Sequence, residues 1–222
     1  MEALEPLRET MQLGARVYQA LLNSIVSGGL EPGAPLRPDV IARRLHVSTT
    51  PVREAMQRLQ NDGLAVKLPN RGWFVREYTD QQVRELYEAR AALECFGVRL
   101  ACLRITDEEL QWLRGRQTAG EAALQAGDLD AYRLYNRDLH AAIFRAARNS
   151  CLTGVMEQIR LQAEMLMAGT IRILGRPLRA VEEHRRLIEW IAARDAAGAE
   201  RLMEAHIMSA LQDILTRKDR SQ

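Results

Sequence analysis

Residues 41–76 read IARRLHVSTTPVREAMQRLQNDGLAVKLPNRGWFVR. Two periodicities follow one another there, and the change between them decides the fold of the N-terminal third. Val52, Ala55, Met56 and Leu59 recur at i, i+3, i+4 and i+7, one apolar stripe on a helix. Thr50 stands where a hydroxyl can accept from an otherwise unpaired backbone N–H, so it is expected to cap this helix. Pro51 then takes the first helical position, where a missing N–H costs nothing. Arg53 and Gln57 fall on the opposite face, and Gly63 ends the element. Beyond Gly63 the period drops to two. Leu64, Val66 and Leu68 alternate, Pro69-Asn70-Arg71-Gly72 supplies a turn, and Trp73-Phe74-Val75 returns as the second strand of a wing. A helix buried on one side, with a polar leading end, has the geometry to enter a DNA major groove. An Arg beside a Gly at the wing tip can reach a minor groove or lie on phosphates. A solvated helix and a solvated hairpin are the bland readings of the two pieces; the wing in register after the helix favours DNA.

Charge agrees. The 222 residues carry a net +2. Residues 34–76 hold eight Lys and Arg against three Asp and Glu, an excess of five, whereas the chain from Glu77 onward is balanced to within one. Positive charge is thus concentrated where phosphates would have to be neutralised. Aromatic residues make up only 5%, which with abundant Leu, Ala and Arg favours helices. The three cysteines (Cys95, Cys102, Cys151) lack the spacing of a disulfide framework, and no membrane span or secretory signal is evident. A cytoplasmic, reduced protein is expected.

The segment STTPVREAMQRLQNDGLAVKLPNRGWFV (48–75), with GGLEPGAPL (28–36) before it, resembles the winged helix–turn–helix of GntR-family transcription regulators. That resemblance implies that Ser48, Thr49 and Thr50 hold the DNA backbone, Arg53 and Gln57 read bases or phosphates, and Arg71 and Gly72 place the wing. Three positions depart from the family pattern. Thr49 replaces the usual Arg, His46 the usual Gly of the inter-helix turn, and Pro38-Asp39 a Glu-led helix start.

After Thr79 every segment has helical spacing. Six helices are expected, near 80–103, 106–126, 128–148, 151–172, 177–195 and 197–217, broken at Gly127-Asp128, Asn149-Ser150, Gly175-Arg176-Pro177 and Gly198. Thr106-Asp107-Glu108-Glu109 is a capping box. The fold is therefore expected to be mainly α, an N-terminal winged helix–turn–helix plus a C-terminal antiparallel six-helix bundle. The expected divisions are a disordered tail (1–10), the DNA-binding domain (11–76), a linker (77–79) and the bundle (80–218). VRELYEARAALE (83–94) and HRRLIEWIAARDAAGAERLMEAHI (184–207) resemble the first helix and last helix pair of the FCD ligand-binding domain, found in the FadR subfamily of GntR regulators. Six helices resemble its VanR-like branch.

Three of the four histidines, His140, His184 and His206, lie in the bundle. Asn136 and His140 are four apart and share a helix face, while His184 and His206 sit on the last two helices. Spacing alone leaves two readings open: shared metal ligation, or neutral imidazoles each satisfied by a carboxylate. The FCD resemblance implies the first. Metal-binding members place an Asp four residues before one His and a further His on each of the last two helices. Asn136 stands where that Asp is usual. A neutral carboxamide ligates more weakly and leaves the site more positive, which implies weaker metal affinity and a stronger pull on an anion. Zn²⁺, Ni²⁺ and Mn²⁺ all accept three imidazoles plus oxygen. Arg90 resembles the Arg that faces the family's effector cavity, where a guanidinium suits a small carboxylate; its alternative is an i+4 pair with Glu94.

The resemblance thus implies a homodimeric repressor on a pseudo-palindromic operator, released by an organic acid. A metalloenzyme on the bundle and a protein-binding adaptor are the competing classes. Against the enzyme, the chain lacks ExxH, HExxH, GxSxG and P-loop motifs. Against the adaptor stands the basic wing. Trp112 and Trp190 are expected in a core or interface, and His46 in a left-handed turn.

Overall fold

The computed structural model describes residues 10–168 and 175–219. The expected tail over residues 1–9, and residues 169–172 of the fourth bundle helix, lie outside them. The chain divides into two compact units, residues 1–78 and 79–222.

In the first unit, α1 (Thr10–Val26), α2 (Pro38–Leu45) and α3 (Thr49–Asn61) surround a small core closed by β1 (Pro35–Leu36), β2 (Ala65–Leu68) and β3 (Gly72–Val75). Val17, Leu21 and Ile25 of α1 are buried, as are Val52, Met56 and Leu59 of α3, so the two stripes face one core. The wing is not two-stranded as expected but a three-stranded antiparallel sheet in the order β1-β3-β2. Gly33 donates its N–H to the Val75 carbonyl at 3.0 Å, and Val75 donates to that of Ala34 at 2.9 Å. A two-residue strand shows no alternation, so its sequence could not announce it.

The start of α3 also differs. Ser48, with extended backbone (φ −72°, ψ 166°), is the N-cap, and its side chain makes no capping bond. Thr49 and Thr50 lie inside the first turn, and Pro51 is the third helical residue rather than the first. The first four N–H groups of a helix all lack an intrahelical partner, so proline fits there equally well. At the wing tip Arg71 N–H donates to the Leu68 carbonyl at 3.2 Å, with Pro69 second in the turn and Asn70 third, at φ 58°. A type II turn requires that combination.

The second unit contains α4 (Asp80–Arg104), α5 (Asp107–Gln125), α6 (Leu129–Ala146), α7 (Ser150–Met167), α8 (Arg176–Ala192) and α9 (Ala196–Asp219). Thr79 and Thr106 each close a capping box, and Asn149 caps α7 by accepting from Leu152 N–H. Helix α4 packs along α9, and α5 lies against α6 and α8. Tyr87, Val98, Leu113, Leu139, Ile143, Leu187, Ile191 and Met203 fill the centre. Cys95 and Cys102 are buried, and burial pushes both thiols up to about 11, so they serve as small apolar residues. Trp112 and Trp190 are not in the core: 43% and 36% of their surface is exposed.

Candidate functional site

On the first unit, α3 turns Pro51, Val52, Ala55, Met56 and Leu59 inward, which leaves Ser48, Thr49, Thr50, Arg53 and Gln57 exposed. The α2–α3 turn passes through His46 in the left-handed region, at φ 54° and ψ 46°. Arg71 and Gly72 are exposed at the wing tip. The Arg71 guanidinium lies 5.4 Å from the Phe74 ring centre and the Lys67 ammonium 5.6 Å from that of Trp73. Aromatic faces thus hold two wing cations in place while their charges stay in solvent.

On the second unit, α6, α8 and α9 bring His140, His184 and His206 together. One ring nitrogen from each lies within 4.8 Å of the others, and the residues are only 6%, 0% and 3% exposed. Each Nδ1 faces outward to a partner: Glu94 Oε2 at 2.5 Å from His140, the Tyr135 hydroxyl at 3.0 Å from His184, and Glu183 Oε2 at 2.6 Å from His206. Inside, the Nε2 atoms of His184 and His206 stand 3.3 Å apart, and His140 Nε2 is buried without a hydrogen-bond partner.

The tautomers follow from the outer bonds. Gln117 donates through Nε2 to Glu121 at 2.8 Å and to the Val181 carbonyl at 2.9 Å, which turns its amide oxygen toward Tyr135 at 2.5 Å. Tyr135 must give its single proton to that oxygen, so toward His184 it can only accept. His184 therefore carries its proton on Nδ1. Burial would raise the Glu94 carboxyl, but Arg90 and His140 outweigh it and hold it well below the usual range. It stays an acceptor, and His140 too is protonated on Nδ1. Burial raises the Glu183 carboxyl, against the pull of Arg176 at 3.5 Å; as a carboxylate it accepts from His206 Nδ1 at 2.6 Å. Burial first, then neighbouring positive charge, keeps His184 and His206 well below the ordinary histidine value, so both rings are neutral. The Nε2 atoms of the three rings then converge, and those of His184 and His206 carry no proton. Neutral imidazoles oriented by outer carboxylates and a hydroxyl are what a divalent metal requires, so the residues fit one.

Asn136 is half-buried on the same face of α6 as His140, and its Oδ1 is buried without a partner. Arg90 has two kinds of neighbour. It pairs with Glu94 at 2.6 Å, and it lines a cavity of about 230 Å³ bounded by α4, α6 and α7. Asn136 and His140 line that cavity, whereas His184 and His206 lie behind them.

Substituting Tyr135 by Phe strips the partner from His184 Nδ1 and from Gln117 Oε1 together. Metal affinity, measured by competition against a chromogenic chelator, is expected to fall about 10–100-fold. Unchanged affinity would show that the hydroxyl does not orient His184.

The pattern "Bacterial regulatory proteins, gntR family" matches residues 13–75, and the FCD domain matches residues 85–209. The Nta operon transcriptional regulator of Aminobacter aminovorans is 31% identical over 199 residues, which cover 86% of this chain and 89% of that protein. The chain belongs to the GntR family. Another relative, the HTH-type transcriptional repressor RspR of Escherichia coli K12, is 24% identical over 94% of this chain and 91% of its own. Among solved structures, E. coli McbR/YncC superposes with a TM-score of 0.82 over 93% of this chain and 98% of its own, at 24% identity. GntR proteins are transcription regulators, which removes the enzyme reading. No helix among the described residues is long and apolar enough to cross a membrane.

Sequence reasoning missed the outer layer of this GntR–FCD bundle. Glu94 was legible only as an i+4 partner for Arg90. Glu183 adjoins His184 in sequence yet serves His206. Tyr135 carried no signal beyond its neighbour Asn136.

Proposed function

We propose that the chain is a cytoplasmic repressor that binds a pseudo-palindromic DNA operator as a homodimer and responds to a small carboxylate. In this reading His140, His184 and His206 hold a divalent transition metal (Zn²⁺, Ni²⁺ or Mn²⁺) with Asn136 beside them. The observation that carries it is the convergence of three buried ring nitrogens, one from each histidine, whose Nδ1 atoms are all engaged outside. The metal would supply a fixed positive charge that attracts an anion; Asn136, being neutral, leaves that charge uncompensated. Arg90 adds a guanidinium to the same cavity, and Glu94 ties it to His140, so an anion on Arg90 and the ligand set on α6 are mechanically linked. Ligand-dependent ordering of α4, α6 and α7 would then select dimers with altered DNA affinity.

Ser48, Thr49 and Thr50 are assigned to the DNA backbone, Arg53 and Gln57 to bases or phosphates, and Arg71 with Gly72 to the wing contact. Repression is favoured by the likeness to RspR, a transcriptional repressor. For the homodimer, Phe96, Leu100 and Leu103 recur at i, i+4 and i+7 on α4, with Leu103 68% exposed, while Val155 on α7 is 50% exposed. Leu100 packs inward on Phe144, Leu152 and Met156, which leaves Phe96, Leu103 and Val155 as exposed apolar residues that suit a second copy of the same surface.

Selection from random duplexes should enrich a two-fold symmetric site, and lack of enrichment would contradict the reading. On that site Arg53→Ala is expected to weaken binding by about 1–3 kcal/mol or to lower the salt slope by about one. Full affinity with an unchanged slope would remove α3 from the groove.

A further inference from the structure

The cavity beside the histidine cluster has an uneven wall, and that unevenness bears on what it accepts. This inference rests on the carboxylate reading of the same site and narrows it. Ala141 and Phe144 of α6 and Met156, Ala163 and Met167 of α7 supply the apolar part of the cavity wall, and none offers a conventional donor. Phe144 is held flat on α4, where a Cβ on Gly97 would meet its ring at 3.2 Å.

The charged residues of the wall are engaged with one another. Arg160 bridges Glu157 and Glu164, Arg137 forks onto Asp138 at 3.0 Å, and the Thr153 hydroxyl donates to the Asn149 carbonyl at 3.0 Å. Among the described lining residues, buried polar atoms without a partner occur only at one end, on Asn136 and His140. Arg90 stands at that end too. Arg145, exposed and 5.9 Å from the Trp112 ring, is the remaining cation.

From this distribution we infer that the effector is a monocarboxylate with an apolar body, aryl or short alkyl, rather than a polyhydroxylated or tricarboxylic acid. The carboxylate sits by Arg90, where a metal on His140 would add its charge, and the body lies against Ala141 and Ala163, beside the packed Phe144 and Met156. Each CH₂ placed there leaves water, whereas each hydroxyl would lose its water partners and find none on the wall. A second carboxylate would have to compete with Glu157 and Glu164 for Arg160, or settle for Arg145, which solvent already surrounds. At about 230 Å³ the cavity is below the roughly 300–1,000 Å³ of pockets for drug-sized ligands, which suits a small acid.

The test is titration calorimetry on tag-free, Zn²⁺-incubated protein with benzoate, hexanoate, D-gluconate and citrate, and metal content measured on the same sample. Benzoate or hexanoate is expected to bind at least about tenfold more tightly than gluconate and citrate, since one buried unpaired hydroxyl already costs that much. Ala141→Leu, which fills the apolar wall, should weaken that binding by a similar factor while metal content stays unchanged. The milder Ala163→Ser should narrow the ranking by giving gluconate a partner. Tighter binding of gluconate or citrate, or no binding of either apolar acid by metal-loaded protein, overturns the inference. Protein that takes up no metal overturns the metal reading instead. The ranking of the four acids then still decides this inference, because the apolar wall contains no metal ligand.

Discussion

Glu94→Ala is expected to destabilise the helical unit by about 3–5 kcal/mol, the cost of leaving a buried charge uncompensated. Arg90 and Glu94 are 5% and 0% exposed, and Glu94 accepts from Arg90 Nε at 2.6 Å and from His140 Nδ1 at 2.5 Å. Removing the carboxylate strands a guanidinium with the Met167 sulfur, a weak acceptor at 3.7 Å, and frees the ring of His140 at the same time. For a unit of this size the melting transition should fall by roughly 6–20 °C. Glu94→Gln keeps the shape and one acceptor, so it should lose less stability while still releasing one of the two donors. A melting curve unchanged in Glu94→Ala would mean that Arg90 reaches water without it.

Gly120→Ala should damage both stability and metal binding from a position that touches no histidine. A Cβ there would lie 2.5 Å from the Tyr135 ring, far inside contact distance. Gly120 sits one turn beyond Gln117 on α5, so the bare backbone is what lets Tyr135 reach Gln117 and His184. Alanine is the better helix former by about 1 kcal/mol, but overpacking a buried ring costs about 1–3 kcal/mol and pushes the hydroxyl off His184. Metal affinity should drop about 10–100-fold, as for Tyr135→Phe. Double substitution with Tyr135→Phe should add little further loss of metal, because both changes break one bond. Additive losses would show that Gly120 acts by another route.

The sequence made the helices legible because their signals are local. Thr79, Thr106 and Asn149 cap where their hydroxyl or amide can turn back on the chain, and α3 carries its stripe within eight residues. Strand β1 was not legible, since Pro35 and Leu36 pair with Phe74 and Trp73 across nearly forty residues of chain. The start of α3 shifted by two residues, from a Thr50 cap to a Ser48 cap, because proline is equally tolerated at the first and third helical positions. The three histidines could be grouped, but their orientation could not. Tyr135 lies 49 residues from His184 and Glu94 lies 46 from His140, separations at which no helical period applies. The core half of the expectation for Trp112 and Trp190 failed for a related reason: hydrophobicity alone does not say which face of a helix a neighbour covers.

Elemental analysis of tag-free protein, purified without chelator and then incubated with Zn²⁺, Ni²⁺ or Mn²⁺, tests the central claim most directly. The account predicts about one divalent ion per chain, lost in His184→Ala and retained in Arg53→Ala. A chain that stays metal-free in all three would contradict it, and would leave His140, His184 and His206 as a neutral hydrogen-bonded cluster within the bundle core.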